Sequence, residues 1–252
     1  MYLQITTKCN MTCAHCCYNC STRGKHGNYN TIIDAIAFAR EIDDETIAIG
    51  GGEPTLHPQF FDILKHCLNN FTHAWMATNG SQTETMLRLA NIINGEDYPK
   101  CTCQKDDPEH FDEYGCVCHE KIDDNCIFQE GKLSVTLSQD PFHDAISQTV
   151  INLWGRQANK HSYSHFEIRN VTHSHNGVVA QGRAIKTGSG WSDHCVCPDL
   201  IIRPDGKIKL CGCTKSPIIG DVWYGIKEKY ENIIYNDENF QDNRCYKHIT
   251  KG

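Results

Sequence analysis

Apolar residues recur with two different periods along the first two thirds of the chain, one typical of strands and the other of helices. Short apolar stretches at 3–5, 46–49 and 74–77 predict three strands. Apolar positions three and four residues apart follow each stretch and predict three helices. We expect Thr31 to cap the first helix, Pro58 to open the second, and Ser81 with Glu84 to form a capping box on the third.

The same alternation resumes in the middle of the chain after a break. Residues 96–130 are polar and acidic and carry five cysteines. Beyond them, apolar patterns predict strands at 133–137, 166–171 and 177–180, with a helix around Ile146, Val150 and Trp154 between the first two. Strands that alternate with helices predict a parallel sheet with crossover helices.

The last quarter of the chain has a different pattern. Two short apolar stretches, 199–203 and 207–210, flank Pro204, Asp205 and Gly206. An Asp-Gly pair between two such stretches is typical of a β-hairpin. Two Cys-x-Cys pairs lie just outside this predicted hairpin, one before it and one after it.

Composition and charge narrow the possible function classes. The chain has 252 residues, of which 39% are hydrophobic and 22% charged, as in a soluble globular protein with one large domain or one domain plus a small appendage. A net charge of −7 argues against general binding to nucleic acid or to an anionic membrane. No apolar run reaches the roughly 20 residues of a membrane span, and the first residues lack the features of a signal peptide. We therefore expect a cytoplasmic protein.

Cysteine is the outlier, with 16 residues. In a reducing compartment this density indicates metal binding or catalysis. Cys9, Cys13 and Cys16 have the spacing C-x3-C-x2-C directly after the first predicted strand. Three thiolates can bind three irons of a cubane cluster and leave the fourth iron open. The alternative is a zinc site, for which Cys17 or Cys20 could supply a fourth ligand.

Further motifs follow the later strands, and together with the cysteines they resemble the radical S-adenosylmethionine (SAM) superfamily. The motifs are Gly51-Gly52-Glu53-Pro54, Thr78-Asn79-Gly80, Ser138-Gln139-Asp140 and Gly182-Arg183-Ala184. The resemblance covers residues 1–185 and implies a partial (β/α)6 barrel that binds SAM at the carboxyl ends of its strands. The first two motifs, C-x3-C-x2-C and Gly-Gly-Glu-Pro, are specific in combination, and the others are weak individually.

The resemblance also implies the cofactors and the residues that bind them. It implies a [4Fe–4S] cluster on the three cysteines and SAM cleavage to a 5′-deoxyadenosyl radical, with no catalytic residue assigned beyond the cluster. The residues that we expect to bind SAM are Gly51, Gly52, Glu53, Pro54, Asn79, Ser138 and Arg169. For Arg169, an ordinary ion pair is as good an interpretation as contact with the SAM carboxylate. His15 is expected to pack beside the cluster without binding it.

A second group of cysteines follows the barrel. Cys195 and Cys211, placed around Gly206, resemble the start of the SPASM or twitch extension, which carries an auxiliary iron–sulfur cluster, and the predicted extension is 186–252. Cys197, Cys213 and Cys245 are candidates to complete the ligand set, and the metal could instead be zinc.

A third group lies in the insertion 96–130. Its members are Cys101, Cys103, Cys116, Cys118 and Cys126. A long polar insertion needs something to order it, and four thiolates would suit a structural zinc. The insertion and the tail could also share one site.

These observations predict an enzyme that abstracts hydrogen from a small metabolite or nucleoside, with net oxidation if the auxiliary centre is an iron–sulfur cluster. The expected reductant is an electron donor such as flavodoxin or ferredoxin. Because the sequence opens directly on the first strand, we expect no preceding peptide-recognition domain, although a peptide presented by a partner is an alternative substrate. The rival classes are a non-catalytic zinc module and an iron–sulfur electron carrier.

Overall fold

The computed structural model describes residues 1–43, 45–93, 111–112, 115–116, 132–139, 143–158, 166–169, 182–188, 200–213 and 215–231. Their strands are β1 (Tyr2–Thr6), β2 (Thr46–Gly51), β3 (His73–Thr78), β4 (Phe111–Asp112), β5 (Gly115–Cys116), β6 (Leu133–Ser138), β7 (Phe166–Arg169), β8 (Ile201–Ile202), β9 (Lys207–Lys209), β10 (Ile218–Asp221) and β11 (Gly225–Ile226). Their helices are α1 (Tyr29–Ile42), α2 (Phe60–Asn70), α3 (Thr83–Ile93), α4 (Gln148–Ala158) and α5 (Arg183–Thr187), with a 3-10 turn at Pro54–Leu56.

One sheet holds most of these strands, in the order β11-β10-β9-β8-β1-β2-β3-β6-β7. From β1 to β7 the neighbours are parallel and follow chain order, with helices in the crossovers. This arrangement confirms the predicted parallel half-barrel for its first five strands. The predicted sixth strand at 177–180 lies outside the described residues.

The tail extends this sheet beyond β1. β8 and β9 form the predicted antiparallel hairpin, in which Ile202 pairs with Ile208. β8 also pairs in parallel with β1, with Tyr2 opposite Ile201, and β10 and β11 continue the sheet outward. The hairpin therefore completes the hydrogen bonding of β1 on its second side. The domain boundary between 185 and 186 stays a prediction.

Alternate residues of the parallel strands face the helices and form the core. Leu3 and Ile5 of β1 and Ile47 and Ile49 of β2 are almost fully buried in one cluster with the apolar faces of α1, α2 and α3. Because side chains alternate along a strand, the residues between them face the barrel lumen. One row across the lumen is Tyr2, Ala48, Trp75 and Ser134, which are in register with one another.

Three helix starts differ from the sequence prediction. α1 begins at Tyr29, and its cap is the side chain of Asn28, which accepts from the backbone N–H of Thr31, so the predicted cap Thr31 is wrong. α3 begins at Thr83, and the backbone N–H of Met86 donates to the carbonyl oxygen of Gln82 at 2.9 Å. Before the helix, the Asn79 side chain accepts from the backbone N–H of Ser81 at 3.0 Å and forms a turn. Ser81 therefore does not close a capping box. α2 begins at Phe60, two residues after Pro58.

Candidate cofactor-binding site

The loops that follow β1, β2, β3 and β6 meet at one cavity of about 220 Å³. The predicted site residues on its wall are Cys9, Cys13, Cys16, Gly51, Gly52, Glu53, Asn79 and Ser138. Pro54 is buried in the 3-10 turn just behind this wall. Arg169 pairs with Ser138 in the backbone register of β6 and β7, and its side chain lies outside the described residues. The structure thus brings eight predicted residues, from Cys9 to Ser138, together around one cavity.

Hydrogen-bond donors point at two of the three cysteine sulfurs. The backbone N–H of Met11 donates to Cys9 Sγ at 3.4 Å, and that of Cys20 donates to Cys16 Sγ at 3.3 Å. The pKa of Cys16 is lowered to about 6, first by a hydrogen bond from the Cys20 thiol and then by backbone donors and the Arg183 cation. Burial raises the pKa of Cys9. A metal bound there would hold Cys9 as the thiolate, so the donor set fits an iron–sulfur cluster.

The glycines of the Gly-Gly-Glu-Pro motif pack directly on the cysteine loop. A Cβ on Gly52 would lie 2.2 Å from the carbonyl oxygen of Lys8, so only glycine fits there. The backbone N–H of Gly52 donates to Thr6 and that of Glu53 donates to Lys8, both at 2.9 Å. Close approach of two protein segments therefore requires glycine at this position, whether or not it also admits a ligand.

Glu53 is buried, with 1% of its surface exposed, and its carboxylate holds the ends of β2 and β3 together. Oε1 accepts from the Thr55 backbone and hydroxyl and from the Thr78 hydroxyl, while Oε2 accepts from the backbone N–H of Asn79 at 2.8 Å. Burial raises the pKa of this carboxyl, and the same hydrogen bonds oppose the rise. Oε1 is saturated by its three donors, so Oε2 carries the lone pair that remains for a ligand.

Asn79 fastens the end of β3 to the cysteine loop. Its Nδ2 donates to Asn10 Oδ1 at 2.9 Å and lies 3.9 Å from Cys9 Sγ. The prediction that Asn79 belongs to the site is consistent with this position, but its described contacts are to the protein. It orients Cys9 and its loop.

Among the cavity-wall residues that sequence reasoning did not find are Tyr2, Tyr18 and His143. The Tyr2 and Tyr18 rings are stacked with centroids 5.5 Å apart, and the Tyr2 hydroxyl lies over Gly50. The His143 ring meets that of His15 edge to face at 5.2 Å. None of these lies in a recognisable motif. Tyr2 could have been found from its alternation with Leu3 and Ile5.

The candidates for the later metal sites are only partly described. Cys211 and Cys213 are buried just after β9, where the backbone N–H of Cys211 donates to Ser216 Oγ at 3.0 Å. Lys209 Nζ donates to the carbonyl oxygen of Cys213 at 2.7 Å. Cys116 lies in β5, of which only the backbone is described. The remaining candidates, Cys101, Cys103, Cys118, Cys126, Cys195, Cys197 and Cys245, lie outside the described residues.

Residues 3–114, which contain the cysteine and glycine motifs, match the family described as the radical SAM superfamily. The chain carries a radical SAM domain. Members of this superfamily use SAM and a [4Fe–4S] cluster. The C-x3-C-x2-C motif and the Gly-Gly-Glu-Pro motif both lie within the matched range. No helix among the described residues is long and apolar enough to cross a membrane.

Two curated proteins resemble part of this chain. An S-adenosylmethionine-dependent nucleotide dehydratase from a Thermoplasmatales archaeon is 39% identical over 98 residues, which are 36% of this chain and 34% of that protein. A tungsten-containing aldehyde ferredoxin oxidoreductase cofactor-modifying protein from Pyrococcus furiosus is 31% identical over 97 residues, 35% of this chain and 26% of that protein. The matched stretch thus spans about a third or less of these relatives.

A solved structure resembles the whole chain. It is BtrN in complex with AdoMet and 2-DOIA, with a TM-score of 0.56 and 13% identity, and the match covers 100% of this chain and 88% of BtrN. This likeness supports the fold of the radical SAM domain and its continuation into the tail.

Proposed function

We propose that this chain is a radical SAM enzyme that takes a hydrogen atom from a small metabolite of the nucleoside or nucleotide class. The observation that carries the proposal is the convergence of three cysteine thiols and the Gly-Gly-Glu-Pro loop on one cavity of a radical SAM domain. When bound, the cluster and SAM together supply a 5′-deoxyadenosyl radical by one-electron reductive cleavage. The reductant would be a carrier such as flavodoxin or ferredoxin.

The residues of the cavity have distinct tasks in this proposal. Cys9, Cys13 and Cys16 hold three irons, and Glu53 Oε2 with its remaining lone pair accepts from the SAM ammonium. Ser138 lies on the same wall, and we assign its hydroxyl to the edge of the SAM ribose. The same proposal assigns the other predicted contacts: the backbones of Gly51, Gly52 and Pro54 to the methionyl end, the Asn79 amide to the cysteine loop, and Arg169 to the SAM carboxylate.

The substrate class rests on the lumen and on one relative. The stacked rings of Tyr2 and Tyr18 form part of the cavity wall, a surface on which a flat ring such as a nucleobase can stack. By the same alternation, β1, β3 and β6 direct the uncharged side chains of Gln4, Trp75 and Thr136 at the lumen. The name of the Thermoplasmatales relative, a nucleotide dehydratase, points to the same class.

Substrate-dependent SAM cleavage tests this function. Anaerobically reconstituted and reduced protein is incubated with SAM and either a panel of nucleosides and nucleotides or a peptide mixture, and 5′-deoxyadenosine is measured by mass spectrometry. We expect a nucleoside or nucleotide to raise its yield at least about tenfold, since a bound substrate positions its hydrogen for the radical. Substrate deuterated at the reacting carbon should transfer deuterium to 5′-deoxyadenosine.

Other outcomes select the rival functions. Stimulation by peptides alone would point to a peptide-modifying maturase. Iron-loaded protein that never cleaves SAM would indicate an electron carrier, and colourless protein that holds only zinc would indicate a binding module.

We further propose that residues 186–252 are a twitch-like extension with a second metal centre. Cys211 and Cys213 are two of its ligands, and Cys195, Cys197 and Cys245 supply the others. If the centre is an iron–sulfur cluster, it takes an electron from the substrate radical and makes the reaction an oxidation. The insertion cysteines Cys101, Cys103, Cys116, Cys118 and Cys126 hold a structural zinc.

Removal of two tail cysteines tests the second centre. We expect the C211A/C213A variant to lose about four irons if that centre is a [4Fe–4S] cluster, or its zinc if it is a zinc site, and to keep the radical SAM cluster. Elemental analysis gives the metal content, and uncoupled formation of 5′-deoxyadenosine reports the cluster that remains. The matched control is C67A, because Cys67 is a buried thiol of α2. Unchanged metal content in C211A/C213A would reject the extension as a metal site.

A further inference from the structure

The cysteine loop is held by a short helix, α5, that lies about 170 residues later in the chain. Arg183, at the start of α5, donates from Nη1 to the carbonyl oxygen of Cys13 at 2.7 Å and from Nη2 to that of Cys20. Its backbone N–H donates to the carbonyl oxygen of Cys16 at 2.9 Å. Arg183 therefore binds three carbonyl groups of the loop, and two of them belong to Cys13 and Cys16 of the C-x3-C-x2-C motif.

Two neighbours of Arg183, Gly182 and Thr187, also contact the loop. We call these three residues of the α5 region the brace. Thr187 Oγ1 donates to the carbonyl oxygen of Ala14 at 2.9 Å. Gly182 has a φ of +56°, and a Cβ there would lie 2.1 Å from the carbonyl oxygen of Cys17, so only glycine lets α5 come this close. Helix α5 thus packs closely on the loop, and the side chain of its arginine bonds two of the loop carbonyls.

The brace also brings a positive charge to the thiols. A guanidinium stays protonated at every physiological pH. Both terminal nitrogens of the Arg183 guanidinium bond carbonyl oxygens of the loop that carries Cys9, Cys13 and Cys16, so the cation lies beside the residues proposed to hold the cluster. A fixed positive charge stabilises the more negative of two redox states.

We infer that Arg183 is a positioning residue with two effects on the cluster proposed above: it holds the cysteine loop in the shape that binds iron, and its charge raises the reduction potential of the cluster. The inference rests on the proposed function, since it needs the cluster to be present. One-electron reduction adds a negative charge to the cluster, so the Arg183 cation favours the reduced form, from which SAM is cleaved.

Three variants separate the charge from the brace. R183Q removes the charge and the paired hydrogen bonds, whereas R183K keeps the charge and loses the fork that bonds two carbonyls at once. K186Q is the matched control, because Lys186 is an exposed cation on the same helix. The midpoint potential of the reconstituted cluster is measured by EPR-monitored titration, and amide hydrogen exchange of residues 13–20 is measured in the reduced, metal-free protein.

We expect R183Q to disfavour reduction about tenfold, a shift of about 59 mV to more negative potential for one electron. R183K and K186Q should stay near the wild-type potential. Exchange at residues 13–20 should be faster in both R183Q and R183K than in K186Q, because both lose the fork. If R183Q binds too little iron for a titration, the exchange comparison decides whether Arg183 holds the cysteine loop.

Equal exchange in R183Q, R183K and K186Q would overturn the brace, and equal potentials in R183Q and R183K would overturn the charge effect. Either result with a wild type that loads a cluster leaves the proposed function intact. A wild type that binds no iron overturns both.

Discussion

We expect the variant with Cys9, Cys13 and Cys16 replaced by alanine to form no 5′-deoxyadenosine above background when it is reduced in the presence of SAM. These three cysteines line the cavity with Cys17 and Cys20, but they alone form the C-x3-C-x2-C motif, and the cluster assigned to that motif cannot be held without them. The variant should also lose the brown colour of the reconstituted protein and its EPR signal after reduction. Mass spectrometry of 5′-deoxyadenosine and iron analysis on the same sample measure both effects.

The control for this variant is C67A, which removes a thiol far from the motif. Cys67 is fully buried on α2 in the hydrophobic core. C67A should unfold at lower urea concentration, because it leaves a small cavity, yet it should keep the cluster and SAM cleavage. Retention of a SAM-cleaving cluster by the triple variant would contradict the assignment of these three ligands.

Replacement of Glu53 by glutamine should lower the free energy of unfolding by about 1 to 3 kcal/mol, because it leaves a buried donor without an acceptor. Thr55 and Asn79 direct backbone N–H groups at opposite oxygens of the carboxylate. Whichever oxygen the amide group of glutamine replaces, one N–H faces another donor and cannot turn away. Urea unfolding of the metal-free, reduced protein measures the loss without any contribution from cofactors.

The matched control is E41Q, which makes the same chemical change at an exposed position of α1. Its free energy of unfolding should stay within about 0.5 kcal/mol of wild type. If E53Q unfolds at the same urea concentration as E41Q, then Glu53 does not tie β2 to β3, and its role is confined to ligand binding.

The site's main parts could be predicted from the sequence because each follows a strand. In a parallel sheet the carboxyl ends of neighbouring strands meet at one edge, so the cysteines after β1 and the glycines after β2 had to lie together. The first five predicted strands and the tail hairpin agree with the structure because hydrophobic period and turn residues are local signals.

What the sequence could not predict depends on distant parts of the chain. Asn28 and Thr31 are both good N-cap residues before the same apolar face, and the choice of Asn28 has no local signal. The pairing of Tyr2 with Ile201 joins strands that no pattern links. The contacts of Arg183 were equally hidden, because Gly182-Arg183-Ala184 was recognised by resemblance and carried no stated role.

The distance along the chain between the cysteine loop and its brace has a consequence for the order of events during synthesis. Arg183 is translated 170 residues after Cys13, which at ordinary rates of elongation takes on the order of ten seconds or more. Until then the loop emerges from the ribosome with its three thiols and no support behind it, and β1 still lacks its second neighbour, β8. Iron delivered to the nascent chain would meet a loose set of thiols, so the finished protein is the better acceptor for a cluster.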